Sequence, residues 1–285
     1  MPKVAAARSA KKPRLGQHFL TDESIALAIV DALGDISQCT VLEIGPGRGV
    51  LTNLLARRVR RLIAVETDRI LAAQLRMAYA LTGNVEIIEG DILAVDLDAI
   101  FAPKPGTTRP GLAVPPEIVR VVGNIPYFLT SDILLRLFQY RRYFHSFVLM
   151  VQREVAARLV AKPGKSDYGL LSATAQLYAR VEKLFDVAPS SFAPPPKVHS
   201  SVIRLTLASQ VEDLGVDEKG FIQFLRHSFG QKRKTIWNNL KSAYPTPALK
   251  VALQKAGIKP TVRAEALSLE TNARIFRSLS QAQDD

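Results

Sequence analysis

The stretch Asn124-Ile125-Pro126-Tyr127 combines residue types that can hold an aromatic amine. It follows an apolar run at 118–122 that reads as a β-strand, so the four residues sit at a strand end. The Asn124 side-chain oxygen and a backbone carbonyl of Ile125 or Pro126 offer two acceptors to the hydrogens of one amine. The exocyclic amine of adenine is a poor nucleophile because its lone pair is delocalised into the ring. Two aimed acceptors bias that nitrogen toward tetrahedral geometry and hold it against an electrophilic methyl. Pro126 stiffens the turn, and the Tyr127 ring can stack on the base, a contact worth about 1–3 kcal/mol. Positioning and electrostatics would carry such a transfer, with no call for a metal or a strong general base. Ordinary Asn-x-Pro turns contain the same residues, so the reading depends on what stands beside them.

Three further strand ends agree with it. The run Val41-Leu42-Glu43-Ile44 leads straight into Gly45-Pro46-Gly47-Arg48-Gly49, and glycines let backbone pass close to a ligand. The spacing is GxGxG, not the GxGxxG of dinucleotide enzymes, and alone it is a weak signal. Glu66 ends the next strand, 21 residues after Gly45, where an acid can bind both hydroxyls of a ribose. Asp91, after Gly90, ends the third and can accept the amino group of an adenine ring. Gly123-Asn124 ends the fourth. Four polar strand ends in order imply a ligand that contains adenosine. Phe192 lies in Ser190-Ser191-Phe192-Ala193-Pro194-Pro195-Pro196-Lys197. Read blandly this is a polyproline connector; read functionally it holds an aromatic for the second face of a flipped base.

These residues need a scaffold that brings strand ends to one edge. Strands are expected at 40–44, 62–65, 85–88, 118–122, 146–151, 181–185 and 201–207, the first five as continuous apolar runs typical of buried parallel strands. Helical patterns separate them at 51–61, 68–81, 131–140, 154–160 and 170–179, so the fold class is α/β, a doubly wound parallel sheet. A basic arm is expected over 1–20 and the α/β domain over 21–207. A Pro-rich surface loop interrupts that domain at 102–116. A polar linker follows at 208–216, then a small all-helical domain over 217–285. There Asp217 caps a helix carrying Phe221, Phe224 and Leu225 on one face. Thr246-Pro247 opens a second helix that Gly257 closes, and Ser268 starts a last one.

The 285 residues carry 38 Lys or Arg against 26 Asp or Glu, a formal charge of +12, which suits a polyanionic partner. Ten Lys or Arg and no acid fall between Lys219 and Ala264, an expected phosphate-facing surface that includes Lys232, Arg233 and Lys234. The arm adds Lys3, Arg8, Lys11, Lys12 and Arg14, with no apolar segment after them to suggest secretion. One cysteine, Cys39, excludes an intramolecular disulfide and a multi-cysteine zinc site. His18, His145, His199 and His227 lack metal-ligand spacing. A reducing cytoplasm, a monomer, no metal and no membrane span are therefore expected.

With these motifs in view, the chain resembles the ribosomal RNA adenine dimethylase family, in particular its members acting on the small subunit. The resemblance runs through Leu15-Gly16-Gln17-His18-Phe19-Leu20, Val41 to Gly49, Glu66, Gly90-Asp91 and Gly123 to Tyr127. It continues through Gln152-Arg153-Glu154, Tyr168-Gly169-Leu170-Leu171-Ser172 and Phe192 to Ser201, then Lys232-Arg233-Lys234-Thr235, Asn238-Asn239-Leu240 and Arg263-Ala264-Glu265. His18 stands where many members have Asn, and Ile125 replaces the commoner Leu. The resemblance implies a Rossmann-like class I S-adenosylmethionine methyltransferase fold. It implies cofactor contacts at His18, Leu20, Gly45, Glu66, Asp91 and Asn124, and target-base contacts at Asn124, Tyr127 and Phe192. The implied reaction is transfer of four methyls to two adjacent adenosines near the 3′ end of 16S rRNA in an assembling small subunit. Three alternatives share some of these features. They are a macrolide-resistance-type methylase of large-subunit rRNA, a non-catalytic RNA-binding factor on the same fold, and a nicotinamide-dependent dehydrogenase, which the glycine spacing disfavours.

Overall fold

The computed structural model describes residues 18–102 and 118–284. The basic arm residues Lys3 to Arg14, motif residues 15–17 and loop residues 103–116 lie outside them. Strand β1 (Phe19–Leu20) opens the described chain and helix α1 (Glu23–Asp31) follows. The sequence expectation omitted α1, although its signal is present. The Asp22 carboxylate accepts from the Ser24 and Ile25 amides, and Ala26, Ile29 and Val30 fall on one buried face.

The alternation of strand and helix then begins. In chain order it runs β2 (Thr40–Ile44), α2 (Val50–Leu55), β3 (Arg61–Glu66), α3 (Arg69–Ala78), β4 (Val85–Glu89), α4 (Leu97–Phe101), β5 (Val119–Asn124), α5 (Thr130–Gln139), β6 (Phe144–Gln152), α6 (Arg153–Val160), α7 (Leu170–Tyr178), β7 (Ala179–Val187), β8 (Phe192–Ala193) and β9 (Ser200–Leu207). Seven strands form one sheet in the order β4-β3-β2-β5-β6-β9-β7. The five strands expected to be parallel are parallel, and β9 and β7 add antiparallel to their edge. Two hydrophobic clusters explain the unbroken apolar runs. Leu42, Ile44, Ile63, Val65 and Val121 point into one, while Val41, Leu62, Val122, Val148 and Met150 point into the other. Successive residues of β2 and β3 are thus buried on opposite faces, which is why these runs are mostly apolar. The helix expected over 51–61 stops at Leu55, because the Arg60 and Arg61 amides turn to the Cys39 carbonyl and draw the chain into β3.

The chain passes outward from β2 to β3 and β4, then returns to the other side of β2 as β5. That reversal leaves a crevice at the carboxyl ends of β2 and β5, the place where doubly wound sheets take ligands. Gly123 on β5 lies so close to β2 that a Cβ there would stand 2.7 Å from the Ile44 carbonyl oxygen.

From Glu218 onward the structured elements are helical: α8 (Glu218–Ser228), α9 (Ile236–Leu240), α10 (Thr246–Lys255) and α11 (Leu269–Asp284). Asp217 caps α8 through the Gly220 amide at 2.7 Å. Phe221, Phe224, Leu253 and Ile275 belong to the same buried cluster as Phe138 and Phe147 of the sheet layer. The segment at 208–216 is fastened to α7, with the Ala208 amide on the Tyr178 carbonyl and the Gln210 amide on the Leu177 carbonyl.

Candidate functional site

A cavity of about 370 Å³ opens at the reversal point and gathers His18, Gly45, Glu66, Asp91, Asn124 and Tyr127. These residues come from five chain segments, and the strand ends β2, β3 and β5 supply three of them. Ile44, Val65 and Ile92 give the cavity apolar walls. Gly47 reaches its conformation at a φ of 57°, which favours glycine, and its amide donates to Glu66 Oε2 at 2.9 Å. Glu66 is 4% exposed, and its other oxygen accepts the Asp68 amide at 2.8 Å. Each carboxylate oxygen has a second acceptor site, so the side chain can fix the glycine loop and still take ligand hydroxyls. Asp91 lines the cavity and accepts the Leu93 amide through Oδ1 at 2.9 Å, and its carboxylate retains further acceptor sites. An adenosine-containing cofactor fits this donor and acceptor set: a paired acid for ribose, a second acid for an amino group, and glycines where side chains would intrude.

The acceptor end of the cavity is equally fixed. Asn124 Nδ2 donates one of its two hydrogens to the His18 carbonyl at 3.0 Å, which orients the amide and makes Oδ1 its acceptor atom. The Ile125 amide donates to the Met150 carbonyl, and the Leu129 amide donates to the Pro126 carbonyl at 3.0 Å. Tyr127 opens a single 3-10 turn, Tyr127–Leu129. Its hydroxyl shares a 2.7 Å hydrogen bond with Ser200 Oγ, and its ring stacks on His18 with centroids 6.1 Å apart.

Two residues expected at the site lie elsewhere. Leu20 and Phe192 face each other across the antiparallel ribbon formed by β1 and β8. They are 5% and 4% exposed, members of one buried cluster with Val187 and Val202, and neither lines the cavity. The ribbon is also clamped by side chains. His18 Nδ1 meets the Pro194 carbonyl at 2.8 Å, and Ser191 Oγ donates to Asp22 Oδ2 at 3.0 Å. Hydrogen bonds from the Ser24 hydroxyl, the Ile25 amide and Ser191 hold the Asp22 carboxyl below its ordinary range. Phe19, beside Leu20, does line the cavity and has the Arg48 guanidinium 4.6 Å from its ring centre. Sequence reasoning also missed Phe128, an exposed aromatic on the cavity wall.

Lys232, Arg233 and Lys234 occupy the exposed turn between α8 and α9. Buried Asn239 holds that turn by donating from Nδ2 to the Ser228 and Gln231 carbonyls. Lys232 and Lys234 border a second cavity, about 280 Å³, whose other wall is Tyr168-Gly169-Leu170-Leu171.

One buried acid lies in the strand that precedes the glycine loop. Glu43, in the middle of β2, is 1% exposed and accepts the Thr52 hydroxyl at 2.8 Å. Burial pushes its carboxyl from 4.5 up to about 8; the Thr52 hydrogen bond opposes the rise and the Glu66 charge adds to it. Folded protein therefore keeps a proton that the unfolded chain releases above 4.5. The resulting stability is full at acid pH and is lost as pH rises toward about 8. Glu43→Gln is expected to melt close to wild type near the acid end of this window and clearly above it at the alkaline end. Thermal melts across pH check this, and a gap that does not change with pH overturns it.

The sequence profile described as ribosomal RNA adenine dimethylase matches residues 8–281. "Ribosomal RNA small subunit methyltransferase A" of Koribacter versatilis is 55% identical, covering 98% of this chain and 99% of its own. The protein of that name from Acidobacterium capsulatum is 50% identical over 97% of this chain and 94% of its own. Among solved structures, a dimethyladenosine transferase from Plasmodium falciparum superposes with a TM-score of 0.74 at 25% identity, covering 93% of this chain and 98% of that one. The 23S rRNA methyltransferase ErmE superposes with a TM-score of 0.65 at 26% identity, covering 92% and 100%.

Proposed function

The chain belongs to the ribosomal RNA adenine dimethylase family, and from that premise we propose that it dimethylates N6 of two adjacent adenosines near the 3′ end of 16S rRNA in assembling small subunits. It is an S-adenosylmethionine-dependent enzyme. The observation that carries the small-subunit assignment is the 55% identity, over nearly the full length of both chains, to a small-subunit methyltransferase. Likeness to the large-subunit enzyme is 26%, so the shared fold does not favour that substrate.

When bound, the cofactor supplies a sulfonium methyl as the electrophile. Glu66 takes the ribose hydroxyls, Asp91 the adenine amino group, and Gly45 and Gly47 let the backbone approach. His18 acts through its carbonyl, which orients Asn124, and through its ring against Tyr127. Asn124 Oδ1 accepts one hydrogen of the target amine. The Pro126 carbonyl already accepts the Leu129 amide, so the Ile125 carbonyl is the better second acceptor. Tyr127 stacks on the target base. Phe192 reaches its second face only if the β1–β8 ribbon turns the ring out of the core, and Leu20 then serves as the other half of that ribbon.

The helical segment from residue 217 and its Lys232-Arg233-Lys234 turn form the RNA phosphate contact, and the assembling subunit puts the enzyme in the cytoplasm. Replacing the three cations by Ala is expected to reduce the salt slope of subunit binding by about 2–3. A salt titration with an unchanged slope removes this turn from the interface.

The direct test uses labelled S-adenosylmethionine and small subunits from a strain lacking the modification. After digestion, mass spectrometry identifies the labelled nucleoside. N6,N6-dimethyladenosine in 16S rRNA is the expected result. Label confined to large-subunit RNA, or none despite cofactor binding, overturns the proposal.

A further inference from the structure

Phe128 is 67% exposed, and it is the single exposed Phe, Tyr or Trp among the described residues. It belongs to neither hydrophobic cluster, so the fold gains no packing from its ring. An isolated exposed apolar residue is ordinary on a protein surface. This one is set apart by its place, directly after Tyr127 and on the wall of the cavity that contains Asn124.

Its backbone is held firmly on both sides. Ile125 and Thr130, which bracket the turn, are 1% and 2% exposed. The Leu129 amide donates to the Pro126 carbonyl, and the Thr130 hydroxyl donates to the Tyr127 carbonyl at 3.2 Å. The backbone that carries the ring is therefore held in place at the cavity rim. A nucleotide drawn into the cavity leaves its stack, and its neighbour in the RNA chain loses a stacking face at the same moment. An aromatic surface one residue along the protein chain from Tyr127 can return that face, whatever the neighbouring base.

We propose that Phe128 is the stacking platform for the nucleobase adjoining the target nucleotide. Asn124 and Tyr127 engage the target inside the cavity, while Phe128 receives the adjacent unpaired base at its edge. The proposal rests on the reading that the substrate is RNA with adjacent adenosines. Under that reading the second adenosine occupies Phe128 while the first is methylated.

The test compares Phe128→Ala, Phe128→Leu and Phe128→Trp with wild type on unmodified small subunits. Phe128→Ala is expected to raise KM for the subunit roughly 5- to 150-fold, with kcat within a few-fold of wild type. S-adenosylmethionine affinity by calorimetry and the melting temperature are expected to stay near wild type. Phe128→Trp is expected to recover the KM, and Phe128→Leu to recover little of it. A wild-type KM in Phe128→Ala overturns the proposal, as does full recovery by Phe128→Leu, which would reduce the ring to an apolar cover. Parallel losses of cofactor affinity and KM also overturn it, since Phe128 would then be part of the cofactor wall. If the wild-type enzyme itself fails on small subunits, it is the substrate reading that falls. Stacking is then read from the affinity of wild type and Phe128→Ala for a single-stranded adenine-rich oligoribonucleotide, and equal affinities overturn it.

Discussion

Asn124→Ala is expected to lose at least about 100- to 1,000-fold in the rate of methyl transfer while binding small subunits as wild type does. Asn124 lies at the end of β5, and its amide nitrogen donates to the His18 carbonyl. In the proposed mechanism Oδ1 is the atom that meets the target amine. Alanine also cuts the tie to His18, so a loss of rate alone would not separate lost acceptance from a loosened N-terminal segment. Asn124→Asp makes that separation. A carboxylate still accepts from the amine but cannot donate to the His18 carbonyl. Single-turnover rates for the pair decide the matter. Substantial activity in Asn124→Asp but not in Asn124→Ala assigns the effect to the acceptor. Equal losses assign it to the tether, and wild-type turnover in Asn124→Ala removes Asn124 from the mechanism.

The residues around that atom differ in how clearly the sequence announces them. Glu66, Asp91 and Asn124 each stand at or just after the end of a parallel strand, and the sheet brings all three to one edge. Period and position therefore suffice to find them. The β1–β8 ribbon was not visible in the same way. Two strands of two residues carry no periodicity, and their partners are separated by more than 170 positions. Leu20, a ligand contact by resemblance alone, and Phe192 pair with each other there and pack inward. Glu43 is hidden for the opposite reason. A single acid inside Val41-Leu42-Glu43-Ile44 barely disturbs a strand pattern, and its burial shows only once the Thr52 hydroxyl is found against it. Phe128 gives no sequence signal beyond being aromatic, because exposure depends on how the following turn enters α5.

Glu66→Ala is expected to weaken S-adenosylmethionine binding by on the order of 100-fold or more. A hydrogen bond to a charged group contributes about 1.5–3 kcal/mol, and one carboxylate serving two ribose hydroxyls contributes twice over. The same side chain accepts the Gly47 and Asp68 amides, so its loss also releases the glycine loop. The two consequences have different signatures. Ribose recognition is common to S-adenosylmethionine, S-adenosylhomocysteine and adenosine, so direct loss of the hydroxyl contacts lowers all three affinities by the same factor. A displaced loop would instead penalise most strongly the ligands that extend past the ribose along residues 45–49. Glu66→Gln refines the comparison, since its amide oxygen can still accept one backbone N–H while its NH2 cannot. Its affinity should fall between wild type and Glu66→Ala. Calorimetry with the three ligands therefore reads both the size of the effect and its origin. Wild-type affinity for adenosine in Glu66→Ala would remove this acid from ribose binding and leave it as a support for the loop alone.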